Sequence, residues 1–213
     1  MNLREPSADQ LLQEGKLLPV MEEFYTLQGE GFNTGQAAYF IRVGGCDVGC
    51  KWCDVKESWN SSDFPPVPTD GVIRNAVSYP ARAIVVTGGE PLLYNMDYLC
   101  TELHLQQVRI FLETSGSQPF SGSWDWICLS PKRDAPPLEE MIKLADELKV
   151  IIHDETDFKW AEENAQRVSP ACILYLQPEW SRRERMMPAI VAWIKANPQW
   201  RVSLQSHKYM HIP

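Results

Sequence analysis

The sequence predicts an α/β fold, an incomplete, modified (β/α) barrel built on a mostly parallel sheet. Three observations favour this class. Short apolar runs alternate along the chain with segments whose apolar residues recur at helical spacing. Polar motifs follow the apolar runs, and 213 residues are enough for a single buried domain. Strand, helix and strand in series are joined by right-handed crossovers, which make the strands parallel.

The elements follow in order from local composition. Seven short runs rich in branched and aromatic residues are predicted to be strands buried on both faces: 38–43, 83–87, 108–113, 126–129, 148–152, 173–176 and 200–204. Four segments with helical spacing are predicted helices: 96–107, 137–146, 157–167 and 182–196. Pro137 suits the first turn of its helix. The run 58–70, rich in Ser, Pro and Asp, is expected to be a loop, either a plain surface connection or a cover over a nearby site.

Composition narrows the choice of partner. The formal net charge is −8, with 20 basic against 28 acidic side chains, which disfavours a broad nucleic-acid surface. No stretch has the length of a membrane span, and the first 20 residues lack an uninterrupted apolar core of signal type. We therefore expect a cytoplasmic protein that binds no nucleic acid and no membrane. It should form a single domain over residues 1–213, with an N-terminal extension at 1–20.

The most informative motif is the triplet Cys46, Cys50 and Cys53, at the spacing C-x3-C-x2-C after the first predicted core strand. Three thiolates so placed can hold three irons of a 4Fe-4S cluster and leave the fourth iron open for chemistry. A structural zinc site would need a fourth ligand, and no second cysteine pair or nearby histidine supplies one. A disulfide framework would need an oxidising compartment. The remaining cysteines stand alone and are expected to be inert small hydrophobic residues: Cys100, Cys128 and Cys172.

Polar segments follow the predicted strands, where the loops of a parallel barrel converge on one face. After the cysteine loop they are 87–91, 113–116, 130–132, 153–154, 177–179 and 205–208. Each segment also fits a plainer role. Gly88 and Gly89 could form only a turn, Glu113 and Lys132 could be ordinary ion-paired or solvated charges, and His207 could be a structural histidine. The agreement of independent segments favours a site at this face.

The cysteine triplet, with Trp52 before its last member and Thr-Gly-Gly-Glu-Pro at 87–91, resembles the radical S-adenosylmethionine (SAM) superfamily. Further segments resemble the 7-carboxy-7-deazaguanine synthase family of that superfamily, from about residue 21 to the end. They are Leu-Gln-Gly-Glu-Gly at 27–31, Phe-Ile-Arg at 40–42, Glu-Thr-Ser-Gly at 113–116, Ser-Pro-Lys at 130–132, Leu-Gln-Pro at 176–178 and Gln-Ser-His-Lys at 205–208. The resemblance implies a barrel of radical SAM type. It also implies a lyase reaction, the ring contraction of 6-carboxy-5,6,7,8-tetrahydropterin to 7-carboxy-7-deazaguanine with release of ammonia, on the route to queuosine and related 7-deazapurines.

The resemblance also implies roles for individual residues. The cysteine triplet would bind the 4Fe-4S cluster, whose open iron would hold SAM. Substrate contacts are implied at Leu27, Gln28, Gly29, Glu30, Arg42, Thr87, His207 and the terminal carboxylate of Pro213. SAM contacts are implied at Gly88, Gly89, Glu90, Ser115, Ser130, Pro131, Lys132, Leu176, Gln177, Pro178 and Glu179. Amide, carboxylate and guanidinium groups suit the polar edge and carboxylate of a pterin. Glu30 and His207 are the candidates for taking the final proton, and so for a catalytic role.

One position departs from the family pattern. Members commonly have Thr or Ser two residues after the third cysteine, where the hydroxyl helps to bind Mg2+, but this chain has Val55. Valine offers no oxygen, and Mg2+ requires oxygen ligands. We expect either a weaker Mg2+ site held by Asp54, water and substrate oxygens, or a metal that is dispensable or altered.

The resemblance further implies a homodimer, a pterin substrate and a flavodoxin-like or other electron donor. Two other functions stay open. One is an activase for a glycyl-radical enzyme, which would be expected to lack the segments at 27–31 and 205–208 that are present here. The other is a non-catalytic module whose cysteines hold zinc or a cluster for structure alone.

Overall fold

The computed structural model describes residues 6–213. The strands are β1 (Leu17–Leu18), β2 (Val20–Leu27), β3 (Ala37–Val43), β4 (Val67–Pro68), β5 (Ala83–Gly88), β6 (Arg109–Thr114), β7 (Trp126–Leu129), β8 (Glu147–Ile152), β9 (Ile173–Pro178) and β10 (Trp200–Val202). The helices are α1 (Ala8–Gln13), α2 (Thr69–Val77), α3 (Asp97–Leu105), α4 (Glu139–Leu144), α5 (Thr156–Ala165), α6 (Arg183–Ala196) and α7 (Ser206–Met210). None of these helices is long and apolar enough to cross a bilayer.

Eight of the strands form one sheet, in the order β2-β3-β5-β6-β7-β8-β9-β10. All neighbours from β3 to β10 are parallel, and β2 runs antiparallel to β3 at one edge. The remaining strands, β1 and β4, form a separate antiparallel pair. The predicted α/β class with a mostly parallel sheet is therefore confirmed.

Successive side chains of each strand face opposite sides of the sheet, which creates separate apolar layers. On the outer side, Ile41 of β3 packs in one cluster with Val72 of α2. A second outer cluster joins Leu148 of β8 to Phe158 of α5. A smaller cluster without helix residues contains Phe40, the neighbour of Ile41 on β3. β3 and β8 are buried on both faces, so packing fixes their positions. The loops that follow them can therefore hold the residues of a functional site in place.

The two edge strands of the sheet are joined through loops. The carbonyl oxygen of Gly29, just after β2, accepts hydrogen bonds from Ser206 N at 2.9 Å and from Ser206 Oγ at 2.8 Å. Ser206 follows β10 at the other edge of the sheet. The loop after β2 thus contacts the segment after β10 and links the two edges of the sheet.

Most predicted elements are confirmed, with ends shifted by a few residues. The prediction for Pro137 is wrong: α4 begins at Glu139, and Leu138 N instead donates to Gly116 O at 2.8 Å. Six of these elements were not predicted from the sequence, namely α1, β1, β2, β4, α2 and α7. β2 is half-buried along its length, so it lacks the fully apolar run that marked the central strands.

The predicted loop at 58–70 needs a correction. Val67–Pro68 pairs with Leu17–Leu18, and Thr69 begins α2. The reason lies in tertiary contacts, because the buried Thr69 hydroxyl donates to Gly15 O at 2.8 Å. Pro68 is also compatible with β4, since a two-residue edge strand needs few backbone N–H donors.

Candidate active site

A cavity of about 300 Å³ lies at the end of the sheet where the parallel strands finish. Every residue predicted to contact substrate lines it: Leu27, Gln28, Gly29, Glu30, Arg42, Thr87, His207 and Pro213. The three cysteines of the triplet, Asp54 and Val55 line it as well. The structure therefore brings together, from both ends of the chain, the residues that the sequence motifs singled out.

The cysteine loop begins directly after β3. Gly45 has a φ of 99°, a conformation that glycine adopts readily, and its N donates to Ser58 O at 2.6 Å. Cys46 N donates to Trp59 O at 3.0 Å, so the returning chain holds the loop in place. All three thiols are free and half-buried.

These thiols fit an iron-sulfur cluster, in which each thiolate binds a different iron. Within residues 6–213 no three His, Cys, Asp or Glu side chains are close enough together to hold a single metal ion. Burial raises the pKa of the Cys46 and Cys50 thiols, so bound iron would be needed to keep them as thiolates.

The glycine pair after β5 packs against the cysteine loop. Gly88 has a φ of 145°, and a Cβ there would lie 2.2 Å from Val43 O. A Cβ on Gly89 would lie 2.1 Å from Gly45 O. Neither position has room for a side chain, and this explains why the strand end needs two glycines.

Glu90, unlike most of the predicted SAM residues, lies behind the cavity wall. It is 1% exposed and does not line the cavity. Its carboxylate accepts hydrogen bonds from Thr114 Oγ1 at 2.6 Å and from Ser115 N at 2.9 Å. Glu90 thus fixes Ser115, which does line the cavity.

Eight of the residues predicted to contact SAM line the cavity: Gly88, Gly89, Ser115, Ser130, Lys132, Gln177, Pro178 and Glu179. Pro131 and Leu176 do not, and Leu176 is fully buried in an outer cluster. Lys132 Nζ donates to Ser130 O at 2.6 Å and to Ser130 Oγ at 2.8 Å. Burial lowers the pKa of Lys132. The polar residues of this wall could bind the amino, carboxylate and ribose groups of SAM.

The opposite wall is built around one buried cation. Lys149 Nζ donates to Glu30 Oε2 at 2.7 Å and to Glu113 Oε2 at 2.8 Å, and its side chain is 5% exposed. Gln28 Nε2 donates to Glu113 Oε1 at 3.2 Å, and Gln205 Nε2 donates to Glu30 Oε1 at 2.9 Å. The network joins the loop after β2 to strands β6 and β8 and to the segment after β10.

The charges in this network stabilise one another. Burial would raise the pKa of Glu30, but Lys149 and the hydrogen bonds from Lys149 and Gln205 outweigh it and lower that pKa to about 2. Burial would lower the pKa of Lys149, but the acidic groups around it, Glu113 and Glu30 among them, raise it well above its usual range. Glu30 is therefore a carboxylate and Lys149 an ammonium at neutral pH.

His207 closes the cavity against the loop after β2. A Cβ on Gly29 would lie 2.2 Å from His207 Nδ1, so glycine lets the imidazole rest on the backbone. Burial lowers the pKa of His207, although the nearby Glu30 opposes this. The imidazole is thus neutral at neutral pH and can accept a proton.

Asp54 lies beside the C-terminal segment. Asp54 Oδ2 accepts hydrogen bonds from Lys208 Nζ at 2.9 Å and from Gln205 Nε2 at 3.2 Å. Burial would raise the pKa of Asp54, but these contacts lower it. The side chain of Val55 brings no oxygen to this part of the cavity.

Sequence reasoning missed Lys149 altogether and gave Glu113 only as a charge of unknown role. A signal for Lys149 was present, because it is the one charged residue within the predicted strand 148–152. Trp180 was also missed, although it lines the cavity. Arg183 Cζ lies over its ring, 4.2 Å from the ring centroid. Nothing in its local sequence distinguished it from a surface tryptophan.

Comparison with known proteins agrees with this geometry. The family model of the radical SAM superfamily matches residues 40–152. The chain is 55% identical to the 7-carboxy-7-deazaguanine synthase of Flavobacterium psychrophilum, over 95% of this chain and 96% of that protein. It is 47% identical to the 7-carboxy-7-deazaguanine synthase of Synechocystis sp., over 91% of this chain and 93% of that protein.

A solved structure is similar over nearly the whole fold. The crystal structure of QueE from Escherichia coli superposes with a TM-score of 0.81 at 28% identity, covering 95% of this chain and 100% of that one. Identity and coverage of this extent, together with the cysteine loop and the cavity, show that the chain belongs to the 7-carboxy-7-deazaguanine synthase family of the radical SAM superfamily.

Proposed function

We propose that this protein converts 6-carboxy-5,6,7,8-tetrahydropterin to 7-carboxy-7-deazaguanine with release of ammonia, in the biosynthesis of queuosine. One observation carries the proposal. The cysteine triplet and the Gln28, Glu30 and His207 side chains face the same cavity. A site for radical initiation thus lies beside a set of groups suited to a pterin. Family membership supports the same reaction.

The cysteine triplet would hold the 4Fe-4S cluster, and Ser115, Ser130 and Lys132 would hold SAM. When bound, these groups supply the 5′-deoxyadenosyl radical that starts the reaction by taking hydrogen from the substrate. The protein's own task is to hold the pterin in one pose, because a radical formed beside a misplaced substrate reacts with whatever is nearest.

The chain offers complementary groups for each part of the pterin. Gln28 and Glu30 present amide and carboxylate atoms to the donor and acceptor edge of the ring. Arg42 lines the cavity with its guanidinium, whose Nε donates to Glu22 Oε1 at 2.6 Å, and it can still bind the substrate carboxylate. Pro213 lines the cavity as well, and a terminal carboxylate on this residue would add a further acceptor.

Of the two candidates for the final proton, His207 is the better acceptor. Both oxygens of Glu30 already accept hydrogen bonds, and its pKa of about 2 makes it a weak base. Neutral His207 remains the stronger base of the two, even with its lowered pKa. Glu30 would then serve to bind and orient the substrate.

Mg2+ would bind near Asp54 with water and substrate oxygens, and it would have to compete with Lys208 for the carboxylate. Because Val55 adds no ligand, the site would be weaker than one with a hydroxyl. We also propose a flavodoxin-like or other electron donor, a homodimer and a cytoplasmic location, where thiols stay reduced.

An anaerobic assay tests the proposal. The reconstituted protein is given SAM and the carboxy-tetrahydropterin, and both 5′-deoxyadenosine and the deazapurine chromophore are followed. Cys50→Ala should abolish both products, whereas Arg42→Ala should keep SAM cleavage and lose the deazapurine. Wild-type protein that cleaves SAM but forms no deazapurine would favour the activase. Bound zinc without SAM cleavage would favour the structural module.

A further inference from the structure

Glu147 is a buried acid that the reaction described above does not use. It is the first residue of β8, is 2% exposed and does not line the cavity. One oxygen, Oε2, accepts hydrogen bonds from Phe32 N at 3.1 Å and from Trp126 Nε1 at 3.0 Å. The other oxygen, Oε1, has no hydrogen-bond partner within residues 6–213. A buried polar atom without a hydrogen-bond partner lowers the stability of the folded protein, so an acid at this position needs an explanation.

The loop after β2 is shaped to this acid. Gly31 has a φ of 64°, and a Cβ there would lie 2.0 Å from Glu147 Oε1. Gly31 N donates to Ser203 Oγ at 3.0 Å, and the Phe32 ring stacks on Trp126 with centroids 4.4 Å apart. Residues 31–32 are therefore held at three places, by Glu147 on β8, by Trp126 on β7 and by Ser203 just after β10.

The opposite end of the same loop meets the cavity. Glu30 stands next to Gly31 in the chain and binds Lys149, and Gln28 reaches Glu113. Lys149 and Glu147 lie two residues apart on β8 and so point to the same side of the sheet. One strand thus holds the loop at two places, through Lys149 in the cavity and through Glu147 behind it.

We propose that Glu147 is a positioning residue, whose Oε2 atom fixes the backbone at Phe32 so that Gln28 and Glu30 meet the pterin in the correct place. The pterin as ligand rests on the proposed function, whereas the fastening of the loop does not. Burial raises the pKa of Glu147. Both donors use Oε2, and Oε1 has no hydrogen-bond partner within residues 6–213. A glutamine has the same shape as the acid and keeps one oxygen that can accept both donors.

The test compares Glu147→Gln with Glu147→Leu. The glutamine variant should keep its KM for the pterin within about twofold of wild type. The leucine variant should raise that KM about tenfold, a loss of about 1.4 kcal/mol of binding, with the KM for SAM unchanged. Hydrogen exchange at the amides of Gly31 and Phe32 should be faster in the leucine variant only. Trp126→Phe removes one of the two donors to Oε2 and keeps an aromatic ring beside Phe32. This variant replaces Glu147→Leu in the test if Glu147→Leu does not fold. It should raise the KM for the pterin by a smaller factor than tenfold.

Leucine or phenylalanine variants with wild-type KM and wild-type exchange would overturn the proposal. So would a glutamine variant as impaired as the leucine variant. If wild type fails to turn over the carboxy-tetrahydropterin, the proposed function fails, and the exchange measurement still decides whether Glu147 holds the loop.

Discussion

Replacement of Lys149 by methionine should show how strongly the buried cation holds the site together. The Lys149 side chain is 5% exposed, and its two carboxylate partners, Glu30 and Glu113, are 18% and 21% exposed. Methionine fills a similar volume but leaves both carboxylates without a counter-charge. Breaking a buried ion pair by removing one partner typically costs roughly 3–5 kcal/mol.

The pKa of Glu30 gives a second value for the free energy with which the network stabilises its carboxylate. Its lowering from 4.5 to about 2 corresponds to about 3 kcal/mol at neutral pH. Because the folded pKa lies below the unfolded one, this stabilisation is fully present above pH 4.5 and is lost as the pH falls towards 2. The deficit of Lys149→Met should therefore be largest at neutral pH and should shrink at a pH of about 4.

Urea unfolding under anaerobic conditions at both pH values measures this difference. Lys143→Met is the matched control, since Lys143 is exposed on α4 and should change stability by no more than about 0.5 kcal/mol. Combining Lys149→Met with Glu30→Gln should restore part of the loss, because one uncompensated charge is removed. A Lys149→Met protein within about 1 kcal/mol of wild type would refute the reasoning, as would a deficit that grows on acidification.

Four further outcomes are expected. Activity should saturate at a higher Mg2+ concentration in wild type than in a Val55→Thr variant, and identical titration curves would exclude a weakened metal site. Gly29→Ala should raise the KM for the pterin by displacing His207. Gly35→Ala, where φ is 86° and nothing lies within 4 Å, should instead lose about 1 kcal/mol of stability and keep KM. Since burial lowers the pKa of His207, the acid limb of product formation should lie below pH 6.5 and vanish in a His207→Gln variant with residual activity. Residues added after Pro213 should reduce product formation, whereas the same tag at the N-terminus should not, as a comparison of the two tagged proteins would show.

The central strands and the cysteine loop could be predicted from local sequence. The parallel strands from β3 to β9 are mostly buried on both faces, so each appears in the sequence as a largely apolar run that can be recognised without its neighbours. The cysteine spacing within eight residues is equally local, and so are the glycines after β5. Pro137 was placed wrongly because a proline before a helix and one in its first turn leave the same local pattern.

The sequence by itself determined the fold class, the metal-binding motif and most of the residues that line the cavity. Tertiary structure alone decided how the two edges of the sheet meet, which brings Gly29 to Ser206 and Gln205 to Glu30. It also decided that Lys149 and Glu147, on one strand, both contact the loop after β2, while Glu90 and Leu176 stay behind the cavity wall. The physical reason is that a strand pattern specifies which face of the chain is buried. It does not specify which distant charge or backbone amide will lie opposite that face once the sheet has formed and its edges have been joined.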